Sequence, residues 1–174
     1  GPHVSDPRSG KIIESDINWY HNVMKLLRNW YFVQTAAVNP DARGVEFKNE
    51  VMGELIRFVS SHEFGHTIGL PHNMGSSSAY PVDSLRSATF TKKYGTAPSI
   101  MDYARFNYVA QPGDDGVALM PSDWGTPNVG VYDIYAVKWG YKPILDASED
   151  EEKEILRSWI REKEDDLMFR FGPS

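Results

Sequence analysis

The sequence predicts an α+β domain, predominantly helical, and three observations carry that prediction. The chain opens on two short β-prone runs split by a turn. Two long segments then repeat their apolar residues every three or four positions, and a third does so near the end. Between them, residues 73–129 are rich in Gly, Ser, Pro and Asp and show no sustained periodicity. The 174 residues fit one domain, and 41% hydrophobic with 13% aromatic residues is enough to bury a core.

The elements follow in order. "DPRSG", Asp6 to Gly10, is a turn cluster, so residues 3–15 read as a β-hairpin. From Asp16 the period changes: Trp19, Val23, Leu26, Leu27, Trp30 and Tyr31 mark an amphipathic helix that Asn39-Pro40 interrupts. A longer helix, about 43–69, follows. Its Val51, Leu55, Phe58, Val59, His62 and His66 share one stripe, which sets the two histidines on the core-facing side. Gly69 ends it and Pro71 prevents its resumption. Loops and short helical turns are expected over 73–129. "GVYDIYAVKWG", Gly130 to Gly140, reads as a short helix closed by Gly140. A last helix, about 149–164, starts with the capping box Ser148/Glu151 and buries Ile155, Leu156, Trp159 and Ile160.

Composition narrows the function classes. The net charge is −6 with no basic stripe, so no nucleic-acid partner is expected. There is no cysteine, so a metal must be held by His, Asp, Glu or backbone oxygen. No apolar run approaches the ~20 residues of a membrane span. Neither "GPHVSDPRSG" nor "LMFRFGPS" reads as a natural terminus, so the sequence is expected to be a piece of a longer protein with further domains.

Chemistry concentrates in "HEFGHTIGLPH", His62 to His72. Residues i and i+4 of a helix lie about 5–6 Å apart at Cβ, so His62 and His66 can converge on one ion. Glu63 lies about 100° round the helix, beside the ion, where a general base for an activated water belongs. His72 could not reach back on a continuous helix; a sharp turn at Gly69 permits it. "QPGDDG", Gln111 to Gly116, places two carboxylates in a turn. It lacks the EF-hand pattern, so a solvated loop is favoured over a structural Ca²⁺ site.

The eleven residues match H-E-x-x-H-x-x-G-x-x-H, the zinc signature of the metzincin metalloproteases, and the chain resembles that family. "SIMDY", Ser99 to Tyr103, resembles the family's methionine turn, with Met101 as the apolar floor under the metal. The resemblance implies a metzincin-like catalytic domain fragment over 1–174, with one catalytic Zn²⁺ on His62, His66 and His72. It implies Glu63 as catalytic base and, as in some branches only, Tyr103 as a ligand or oxyanion partner. The stretch after Met101, with Arg105, Phe106 and Tyr108, would line the pocket for the residue after the cut. The flanks are similar to large, exported bacterial zinc-dependent proteins, which implies a periplasmic, cell-surface or extracellular (secreted) location. Such domains place a twisted sheet before the active-site helix. Only residues 1–61 precede His62, so at most the last hairpin of an incomplete sheet is expected, its edge strand pairing with an extended substrate. Three functions stay open: a zinc endopeptidase acting on protein or peptide, a catalytically silent zinc-binding or surface scaffold module, and an amidase acting on cell-wall peptides.

Overall fold

The computed structural model describes residues 3–120 and 129–173. Strands β1, His3–Ser5, and β2, Ile12–Ser15, form an antiparallel hairpin with an irregularity between Val4 and Ser5. Helix α1, His21–Thr35, and helix α2, Asn49–Thr67, pack against each other. Short helices α3, Val82–Leu85, and α4, Ala88–Tyr94, follow, then α5, Val131–Tyr141, and α6, Glu149–Arg161. The α+β, mainly helical class is what the periodicities predicted. Within the loop-rich stretch 73–129, residues 121–128 lie outside the described residues. No helix among the described residues is long and apolar enough to cross a membrane.

The core lies where α1, α2 and the chain around Met101 meet. Leu27 and Tyr31 from α1 pack with Leu55 and Phe58 from α2 and with Ile100, Met101 and Phe106. Phe106 is the hub: its ring meets Tyr31 edge-on at 4.9 Å between centroids and Phe58 at 6.0 Å. Such aromatic pairs add about 0.5–1.5 kcal/mol each beyond the area they bury.

Two boundaries and one expected core position differ from the sequence reading, each for a local reason. α2 starts at Asn49 rather than about 43, because residues 43–48 bend: Gly44 is a poor helix former and its carbonyl is taken by Arg28 Nη2 at 2.5 Å. Gly140 lies inside α5, which closes at Lys142; the following Pro143 holds Lys142 extended at φ −70, ψ 115. α6 keeps its capping box, with Glu151 N–H donating to Ser148 Oγ and Ser148 N–H donating to Glu151 Oε2. Its Ile160, however, is 44% exposed: the groove beside Trp139 and Leu156 covers only part of it.

Candidate metal centre

His62 and His66 come from consecutive turns of α2, and His72 from the loop that follows. One ligand atom from each of the three lies within 4.8 Å of the others, so this group could hold a metal ion. The bend that brings His72 back is a complete helix stop. Gly69 adopts φ +91; its N–H donates to His66 O at 3.0 Å, and Leu70 N–H donates to Gly65 O at 3.0 Å. Those two bonds satisfy the last carbonyls of the helix in a Schellman arrangement, which needs a residue tolerating left-handed backbone. Tyr141 on α5 adds a tether, its hydroxyl donating to Ile68 O at 2.5 Å.

The imidazoles are oriented through their other nitrogens. His62 Nδ1 donates to Ile100 O at 2.6 Å, and His66 Nδ1 to Leu70 O at 2.8 Å. That tautomer leaves both Nε2 atoms as acceptors, the state a metal requires. His66 Nε2 and His72 Nε2 approach to 3.1 Å. Burial holds His62 below the ordinary imidazole range, against the opposing pull of its bond to Ile100. Burial also lowers His72, and the neighbouring His66 lowers it further. Three neutral nitrogen donors on converging rings, two of them fixed by carbonyls, suit a borderline-soft divalent ion such as Zn²⁺.

Met101 lies beneath this group, 1% exposed. Gly65 is the reason it fits: a Cβ on Gly65 would collide with Met101 Sδ. The turn that carries Met101 is clamped on every side. Asn73 N–H donates to Met101 O at 3.0 Å, and Met101 N–H to Ser99 Oγ at 3.0 Å. Asp102 accepts from Ser76 Oγ and from the Ser77 N–H at 2.7 Å.

The sequence reading missed Asp133. This carboxylate, 2% exposed on α5, accepts from Ser99 Oγ at 2.6 Å, from Ile100 N–H at 2.8 Å and from Gly130 N–H at 2.7 Å. Burial pushes its carboxyl up, and those three bonds pull it back. The backbone of Ile100 thus stands between Asp133 and His62, its N–H bonded to the first and its carbonyl to the second. One signal was readable: an acid three residues after Gly130 suits a helix start. Its second duty toward Ile100 is tertiary.

Glu63 and Tyr103 border the site. Tyr103 is 56% exposed, its ring 4.8 Å from that of His72 and 5.4 Å from that of His62. Glu63 is half-buried and faces a cavity that His62 and Tyr103 also line. Of the three residues expected to form a substrate pocket after Met101, only Arg105 lines that cavity. Phe106 belongs to the core, and with Tyr108 it borders a more polar neighbouring cleft. Asp114 of the "QPGDDG" turn is paired with Arg86 at 2.8 Å, and that guanidinium is the first cause of its lowered pKa. His3 and His21 are exposed and outside the metal group.

A family model described as Met-zincin matches residues 44–174. Comparison with curated proteins and with solved structures gives no significant match. The match spans most of the chain and takes in both the histidine bend and the methionine turn just described, so the chain belongs to the Met-zincin family.

Proposed function

We propose that this domain is a zinc-dependent endopeptidase. The observation that carries the reading is the convergence of His62, His66 and His72 beside Glu63, above a clamped methionine turn. His62, His66 and His72 would hold the zinc, which would supply Lewis acidity and lower the pKa of a nearby water toward about 7. The residues of the chain do the rest. Carbonyls of Ile100 and Leu70 keep the first two rings in the tautomer that binds. Glu63 accepts a proton from the attacking water and returns it to the leaving amine. The Tyr103 hydroxyl donates to the oxygen of the scissile carbonyl as charge builds there, a role supported by its ring lying 4.8 Å from that of His72.

Glu63→Gln tests this directly. Peptide cleavage should fall by about 10²–10⁴-fold, the usual worth of a positioned base, with zinc content unchanged. Tyr103→Phe should lower kcat with little effect on KM. If wild-type, zinc-replete protein cleaves nothing in a broad peptide library, the silent-module reading takes over. Turnover of peptidoglycan fragments without turnover of casein or gelatin would instead favour the cell-wall amidase. Export to the periplasm, cell surface or medium is part of the same proposal, and fractionation of the native host checks it.

A further inference from the structure

Tyr103 is a shared wall. It lines the cavity that His62 and Glu63 face, and it also lines a second cleft of about 430 Å³. None of the second cleft's lining comes from α2, the helix that carries His62 and His66; residues 77–85 and 102–109 supply most of it.

Two buried side chains on this cleft have a polar atom without a partner. Thr96 is 6% exposed and Asn107 4%, and both line it. Asn107 uses both amide hydrogens on carbonyls, donating to Leu85 O at 2.8 Å and to Ala118 O at 2.9 Å. Its Oδ1 is left a bare acceptor, and Thr96 Oγ1 also finds no partner among the described residues. Buried polar atoms are nearly always paired, so two orphans on one cleft point to a ligand that pairs them.

The rest of the lining fixes the kind of ligand. Charge is balanced: Asp102, whose Oδ2 already accepts from Ser76 and Ser77, and Arg105, whose guanidinium lies 4.0 Å from the centre of the Trp30 ring. A carboxylate has no hydrogen to give Asn107 Oδ1, and an ammonium cannot accept from Thr96; a hydroxyl does both. Ser77 and Ser78 add further hydroxyls, and the exposed rings of Tyr103 and Tyr108 offer flat apolar faces. Hydroxyls round an edge and C–H groups on two faces describe a sugar ring. The volume lies within the roughly 300–1,000 Å³ of small-molecule sites and exceeds what one Ser or Thr side chain fills.

We propose that this cleft binds a neutral sugar carried by the substrate, so that the peptides cut are glycosylated close to the scissile bond. The proposal rests on the peptidase reading of the adjacent metal site, and Tyr103, common to both cavities, sets the sugar near the cut.

The test uses the zinc-loaded protein and a peptide library made twice, once bare and once with a single O-linked N-acetylgalactosamine on Ser or Thr. Sugar at one position relative to the cut should raise kcat/KM by about tenfold or more. Thr96→Val keeps the shape and removes the orphan hydroxyl. It should bring that ratio to within about twofold of one, with bare-peptide cleavage and zinc content unchanged. Tyr108→Ala should lower the same ratio, and it decides the matter where Thr96→Val fails to fold. A ratio near one at every position, or a raised ratio that both variants leave intact, overturns the sugar site while leaving the peptidase intact. Absence of any wild-type cleavage, bare or glycosylated, sinks the peptidase reading instead. The cleft is then judged by the Thr96 methyl resonance of the zinc-loaded protein. A shift with methyl α-N-acetylgalactosaminide and none with N-acetylaspartate upholds it; no shift with the sugar, or an equal shift with both, rejects it.

Discussion

Asp133 stands on a helix remote in sequence from the histidines, yet its carboxylate takes the N–H of Ile100, the residue whose carbonyl holds His62. The two groups lie on either side of one Cα, so fixing the Ile100 N–H fixes where its carbonyl stands, and Asp133 acts on the metal centre as a positioning residue. Asp133→Asn keeps the shape but faces an amide N–H₂ toward donors. Zinc affinity, measured by competition with a chromophoric chelator, should fall about 10–100-fold. Asp114→Asn, which disturbs only the exposed pair with Arg86, should leave it unchanged. The residue scale is also where sequence reading stopped. The three histidines and Met101 were legible because their spacing is itself geometric: i,i+4, then a glycine stop, then a turn. Asp133 was not, because nothing within "GVYDIYAVKWG" reveals that Ser99 and Ile100 pack onto its first turn.

Helix α2 carries two glycines whose surroundings make opposite demands. Gly53 is exposed with nothing within 4 Å of an added Cβ; Gly65 faces the Met101 sulfur. Gly53→Ala should therefore stabilise the fold by about 0.5–1 kcal/mol through helix propensity. Gly65→Ala should destabilise it by about 1–3 kcal/mol through overpacking. Urea unfolding of the two variants measures both, and a stabilising Gly65→Ala would mean that Met101 does not pack against α2. At this scale the sequence was most informative for long periodic segments. α1, α2 and α6 follow from apolar stripes and, for α6, from a capping box. Boundaries were less legible. The end of α5 depends on the restriction Pro143 places on Lys142, which outweighs the weak helix propensity of Gly140. The start of α2 depends on Arg28 reaching across from α1 to Gly44.

For the whole molecule, protons and metal compete for the same nitrogens. Ordinary imidazoles titrate near 6.5, and burial lowers both His62 and His72 in the fold. Between those lowered values and about 6.5, the unfolded chain holds more protons than the folded one. The metal-free protein should therefore keep this contribution to stability above about pH 6.5 and lose it as pH falls through the lowered native values. Urea midpoints of metal-free protein from pH 7.5 to 5 check the sign; a midpoint that rises on acidification contradicts it. Saturation at 100 times Kd adds about 2.7 kcal/mol, so stripping zinc should lower Tm by roughly 5–10 °C for a domain of this size. The clamp on Asn73, one residue past His72, closes over a great length of chain. Its amide donates to Arg170 O at 3.1 Å, and Gly172 N–H donates to its side-chain oxygen at 2.8 Å. Contacts that distant in sequence are late to form. A nascent polypeptide emerging from the ribosome therefore displays its histidines long before the segment that braces Asn73 has been synthesised, and the loop behind His72 lacks that brace until translation has passed residue 172.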